Sequence, residues 1–126
     1  MGNVKNARIE SSMLGIEDHG ILTFMLHLDY GGSGQGFGGY CMDAPLKKQD
    51  GTFIRRVGTA QGCDLILRVL EVVGVCKWED LPGQHIRVVA DHCKVHKIGH
   101  ILKDRWLDIE EHYNSFKQEG GDDGKA

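Results

Sequence analysis

None of the four cysteines, at positions 41, 63, 76 and 93, is spaced C-x-x-C from another. Zinc ribbons and thioredoxin-type redox chemistry are therefore unsupported. No apolar run approaches the roughly 18 residues of a membrane span, and no secretory leader is expected. These absences lead to an expectation of a cytoplasmic protein with reduced thiols and no membrane partner. Neither charge sign dominates: 15 basic and 18 acidic side chains give a formal charge of -3. That balance disfavours a general binder of DNA or RNA, whose affinity rests on phosphate neutralisation. It leaves room for a small phosphate ligand in a local basic pocket. Ser11, Ser12, Cys41 and Cys93 lie near none of the contexts that activate a nucleophile, such as a G-x-S-x-G elbow. No constellation specifies a reaction, so a binder is expected rather than an enzyme, with no cofactor.

What is present is enough chain for one domain with its own core, at 126 residues and 40% hydrophobic. Leu22, Phe24, Leu26, Leu28 and Tyr30 alternate with Thr23, Met25, His27 and Asp29, the period of a strand with one buried face. Glu17 to Gly20 joins it to an earlier segment as a hairpin. A third strand is expected from about Gly38 through Tyr40 and Met42, before Pro45 and the polar LKKQDGT break the pattern. Leu65, Ile66, Val69, Leu70 and Val73 then mark one face of a helix, with Thr59 as N-cap and Gly74 as its stop. HIRVVAD and KIGHILKDRWLDI read as a second hairpin turning at DHCKVH, and DIEEHYNSFKQ as a short helix. The expected fold is α+β, an N-terminal antiparallel sheet of about five strands with two helices. Residues 1–118 are expected to form a single domain and 119–126 a disordered tail.

Two motifs invite stronger readings. Gly34, Gly36 and Gly39 fit G-x-G-x-x-G, yet strand-like residues and Pro45 follow where a dinucleotide fold needs a helix. The favoured reading is a bulged, glycine-rich strand that another backbone approaches closely. His92, Cys93, His96 and His100 in DHCKVHKIGH could serve a metal. On a strand, however, His96 and His100 would stand about 13 Å apart at 3.3 Å per residue. Zinc ligands must converge on one ion, so a polar turn is favoured. Arg55, Arg56, Lys103 and Arg105 are the remaining chemistry. KDRW on a strand would place Lys103 and Arg105 on one face and Trp106, packed in the core, on the other.

GIEDHGILTF, LDYGGSGQGFGGY, WEDLPGQHIRV and IGHILKDRWLD in combination resemble the small phage-encoded Thoeris anti-defence sponges of the first type, over about Val4 to Asp108. The resemblance implies helices that contribute to a dimer, and in some members a hexamer. It implies capture, without cleavage, of cyclic ADP-ribose isomers made by bacterial TIR-domain immune enzymes, in the host cytoplasm during infection. Some members also hold cyclic di- or trinucleotides at separate sites, which would extend the block to CBASS signalling. Carried over by motif, Arg105 in KDRW becomes a phosphate or ribose contact, and Asp91 and His92 in ADH become partners of ribose hydroxyls or the base edge. Trp78 in KWEDL becomes a stacking wall, and Arg56 and Gln61 belong to a second nucleotide site. The alternatives are a metal protein or small enzyme built on DHCKVHKIGH, and a structural phage protein.

Overall fold

The alternation of Leu22, Phe24, Leu26 and Leu28 becomes strand β2 (Ile21–Asp29) in the computed structural model, which describes residues 3–17, 20–31, 33–91 and 93–119. Phe24 and Leu26 are fully buried while His27, on the opposite face, is exposed. This is the alternation of an antiparallel sheet with one covered face. β2 pairs with β1 (Asn3–Glu17) in the expected hairpin, with Glu17 opposite Ile21. Positions 18 and 19 of its turn lie outside the described residues, as do 120–126, which hold all but the first residue of the expected tail.

The chain continues through β3 (Gly34–Gly38), β4 (Asp43–Lys47), β5 (Phe53–Gly58), α1 (Ala60–Val73), a 3-10 turn at Trp78–Asp80, β6 (His85–Ala90), β7 (Val95–His100), β8 (Trp106–Asp108) and α2 (Ile109–Glu119). Six strands form one antiparallel sheet in the order β3-β2-β1-β6-β7-β8, and β4 pairs with β5 apart from it. The class is α+β, as expected. The strand count is higher than five, and the sheet unites N-terminal with C-terminal strands.

Three local expectations change. The third strand ends at Gly38 rather than running through Tyr40 and Met42, because φ turns positive at Gly38 (142°) and Gly39 (81°). LKKQDGT does not merely break the pattern. It closes a hairpin, with Gly51 at φ 93° and its N–H bonded to the Lys48 carbonyl. Pro45 is accommodated because β4 belongs to a two-stranded ribbon with outer edges. KIGHILKDRWLDI is two strands, not one. His100 Nδ1 accepts the N–H groups of Leu102 and Lys103, each at 3.0 Å, and closes a turn before β8 begins at Trp106.

The glycine run does allow close approach. A Cβ at Gly38 would strike the Phe24 carbonyl oxygen, and one at Gly36 would lie 2.7 Å from Met25 Sδ. At Gly38 the clash is with main chain, so β3 can lie on β2 there only without a side chain, whereas at Gly36 the Met25 side chain could give way. The next helix starts at Ala60, far beyond any dinucleotide fingerprint. The sheet also curls, since Gln35 of β3 donates to the Asp91 carbonyl at the β6–β7 turn (3.1 Å).

α1 forms as its sequence dictates. Thr59 Oγ1 accepts the Gly62 N–H, and Gly74 adopts the left-handed conformation with its N–H on the Leu70 carbonyl. Leu65, Val69, Val72 and Val73 are buried in one cluster with Phe24, Leu26, Ile86, Val88, Ile98 and Leu107 of the sheet. The apolar face of α1 is thus covered within its own chain. Among the described residues no helix is long and apolar enough to cross a membrane.

Candidate functional site

α1 has no basic residue in its last turn. Its final carbonyls lack intrahelical partners and carry the negative end of the helix dipole. Leu70 O is taken by the N–H groups of Gly74 and Val75. Glu71 O is taken from outside, by Arg105 Nη1 at 2.9 Å. The β7–β8 turn presents that guanidinium: Arg105 N–H bonds to Lys103 O, and its carbonyl accepts the His100 N–H.

Between this turn and the last turns of α1 lies a cleft of about 350 Å³. Arg68, Glu71 and Val72 form one wall, and Asp104, Arg105 and Trp106 the other, with Leu107 also lining it. Arg68 is steered toward it by Glu71, whose Oε1 accepts from Nη1 at 2.7 Å, while Asp64 Oδ2 stands 3.6 Å from Nε. Both guanidinium groups are already engaged, Arg68 by the Glu71 carboxylate and Arg105 by the Glu71 carbonyl, and only their remaining N–H groups can meet phosphate or carboxylate oxygens. Asp104 accepts from Trp106 Nε1 (3.1 Å), so its carboxylate also faces the cleft.

Trp106 departs from the expected arrangement. It is half-buried, and pairs with Gly99 on the sheet face opposite Ile98 and Leu107. Its indole lies so close to Gly99 that a Cβ there would be 2.5 Å from the ring, and the Arg87 guanidinium stacks 4.7 Å from the ring centroid. Arg105 is in a turn rather than on a strand face, so Trp106 does not anchor it in the core.

The other candidates are held elsewhere. Trp78 packs edge-on against Phe24, ring centroids 5.5 Å apart, and its buried Nε1 meets no hydrogen-bond partner among the described residues. Asp91 closes the β6–β7 turn: Oδ1 accepts from the Cys93 and Lys94 N–H groups, and Oδ2 is 2.8 Å from His96 Nε2. The His96 hydrogen bond, followed by those two amides, holds its carboxyl well below the usual range. β7 separates Asp91 from Arg105, a run of roughly 15–20 Å at 3.3 Å per residue. His92 lies outside the described residues. Arg56 grips Asp43 with two bonds of 2.9 and 3.0 Å. Gln61 turns to α2, 3.2 Å from His112 Nδ1. Among the described residues, no three His, Cys, Asp or Glu side chains gather as a metal site requires.

The structure therefore brings Arg105 together with Arg68, which sequence reasoning missed. Their meeting depends on the turn after β7. A second missed group is His112, buried between Asp64 (2.8 Å), Gln61 and the Phe116 ring, where it ties α2 to α1. The histidine of the cleft's turn is legible in pH terms. Burial pulls His100 below its ordinary value, and Arg105, Lys103 and Arg87 act in the same direction. The folded chain resists a proton that the unfolded chain accepts below about pH 6.5. The stability His100 contributes is complete above that pH and is lost as pH falls through its lower, folded-state pKa. His100→Asn retains an acceptor for the turn amides without titrating. Urea unfolding from about pH 7 to 5 should lose less stability in this variant than in the parent. Equal losses would remove His100 from the account.

No protein-family model, curated protein or solved structure matches the chain.

Proposed function

We propose that this chain is a non-catalytic binding protein, a homo-oligomer that captures a cyclic ADP-ribose isomer in the cytoplasm of an infected cell. By holding the signal of TIR-domain enzymes, it keeps the Thoeris effector from being activated. The observation that carries this reading is the cleft in which Arg68 and Arg105 face one opening of about 350 Å³. A compact dianion would have to draw Arg68 from the Glu71 carboxylate to gain both guanidinium groups, whose charge-assisted bonds are the strong ones. Arg105 is also fixed by the Glu71 carbonyl, so less side-chain entropy is lost on binding. A second site for cyclic di- or trinucleotides, which would add CBASS to the signals blocked, would have to displace Asp43 from Arg56 or His112 from Gln61.

The test is stoichiometric capture. The protein is mixed with a cyclic ADP-ribose isomer, the complex is isolated by gel filtration and denatured by heat, and the released ligand is weighed by mass spectrometry. The expected product is the unchanged cyclic compound. Linear ADP-ribose formed in proportion to protein would make the chain an enzyme, and absence of any co-eluting ligand would remove the binding role.

A further inference from the structure

Glu71 stands where a helix tolerates a carboxylate least. It lies in the last turn of α1, which ends at Val73 and holds no basic residue there. The helix dipole is negative at that end, and an acid placed after its basic partner is the weaker order for a helical ion pair. Helix stability therefore does not account for it. What Glu71 does reach is both arginines of the cleft. Its Oε1 accepts from Arg68 Nη1 at 2.7 Å, and its main-chain carbonyl accepts from Arg105 Nη1 at 2.9 Å. Asp64 is a poorer partner for Arg68. Its Oδ2 stands 3.6 Å from Arg68 Nε, beyond hydrogen-bond reach, and the same oxygen is held by His112 at 2.8 Å. Arg68 Nε is thus buried with no hydrogen-bond partner among the described residues. A buried, unpaired N–H is costly, so the pose in which Glu71 holds Arg68 is one that a better acceptor can replace.

We infer that the Glu71 carboxylate is a built-in competitor, an internal anion that holds Arg68 until an anionic group of the ligand takes its place. The inference rests on the reading of the cleft as an anion site. Capture is then an exchange of partners. Arg68 passes from Glu71 to the ligand, while Arg105 stays where the Glu71 carbonyl fixes it and offers its remaining N–H groups. Such an exchange selects among ligands. A lone carboxylate or phosphate replaces Glu71 by a group of its own kind and gains little, since exposed ion pairs are weak. A diphosphate carries two charged groups, so that one can take Arg68 while the other meets Arg105. Glu71 thereby sets the threshold that an anion must exceed to occupy the cleft.

Calorimetric titration with inorganic pyrophosphate, at one fixed ionic strength, tests this without the nucleoside. Glu71→Gln keeps the carbonyl that fixes Arg105 and removes only the competing charge, so it should tighten binding by about two- to fivefold. Replacing a residue that merely supported the helix would weaken binding, so the sign separates the two roles. Glu79→Gln, exposed and outside the cleft, loses the same charge and should bind as the parent does. In an Arg68→Ala background the gain from Glu71→Gln should vanish, because the competitor acts through that arginine. Inorganic phosphate should bind the parent at least about tenfold more weakly than pyrophosphate. A parent that binds pyrophosphate as tightly as Glu71→Gln does, or a gain that persists in full without Arg68, would overturn the inference and leave the cleft an anion site. Phosphate and pyrophosphate held equally by the parent would overturn it in the same way. If neither the parent nor Glu71→Gln binds pyrophosphate, the inference falls together with the reading of the cleft.

Discussion

Gly62→Ala should destabilise the protein, although on helix propensity alone it should do the reverse. Gly62 sits in the first turn of α1, where replacing glycine by alanine in a free helix gains about 1 kcal/mol. Here a Cβ would stand 2.5 Å from the Met42 carbonyl oxygen and 2.7 Å from Met42 Cα. Met42 cannot step back without cost. Its carbonyl accepts both the N–H and the hydroxyl of Thr59, and its own N–H is bonded to Leu22 O. Moving it would break the N-terminal cap and the tether to β2 together. Overpacking against mobile side chains costs about 1–3 kcal/mol, and main chain yields less. A net loss of roughly 2–4 kcal/mol is expected after the propensity gain is subtracted. Gly58→Ala is the control, with nothing within 4 Å of its Cβ and no positive φ. Urea unfolding of both variants decides it. A Gly62→Ala protein as stable as Gly58→Ala would mean that the 39–42 segment is not locked onto α1.

Gly62 illustrates where sequence reading stops. Its glycine is dictated by a segment twenty residues earlier in the chain, and no local pattern records that contact. The same division runs through the fold. The N-cap at Thr59, the stop at Gly74, the alternation in β2 and the β1–β2 hairpin were all legible, because each is set by neighbours in sequence. The break between β7 and β8 was not. His100, Leu102 and Trp106 keep a strand-like spacing, and the chain folds back between them through the acceptor role of His100 Nδ1 and the His100 N–H bond to the Arg105 carbonyl. The site suffered most from this. Arg105 was nominated from KDRW, but Arg68 lies 37 positions earlier on a helix, and its place beside Arg105 follows from how α1 ends against that turn. Trp78 and Arg56 had the right chemistry for a ligand, yet their first partners are Phe24 and Asp43.

Arg105→Ala should weaken capture of a cyclic ADP-ribose isomer by roughly ten- to a hundredfold. A hydrogen bond to a charged group is worth about 1.5–3 kcal/mol, and each 1.4 kcal/mol is a factor of ten in affinity. The same substitution removes the guanidinium from Glu71 O at the end of α1. That contact between a cation and a helix C-terminus is worth only about 0.3–1 kcal/mol when exposed. Binding should therefore fall far more than stability, and this inequality separates a ligand contact from a helix cap. Arg105→Lys sharpens the test: it keeps the charge but loses the planar fork, so affinity should lie between those of the parent and the alanine variant. Arg68→Ala should resemble Arg105→Ala in binding, since both side chains line the cleft. Arg8→Ala is the control, as Arg8 sits on β1 and pairs only loosely with Glu10 at 3.4 Å. Calorimetric titration of the four variants, with urea unfolding of each, gives both axes. If Arg105→Ala binds as tightly as Arg8→Ala, Arg105 is a cap alone and the ligand sits elsewhere. If Arg105→Ala and Arg105→Lys lose equal affinity, the fork rather than the charge carries recognition. The bidentate geometry would then be the feature that the turn after β7 is built to present.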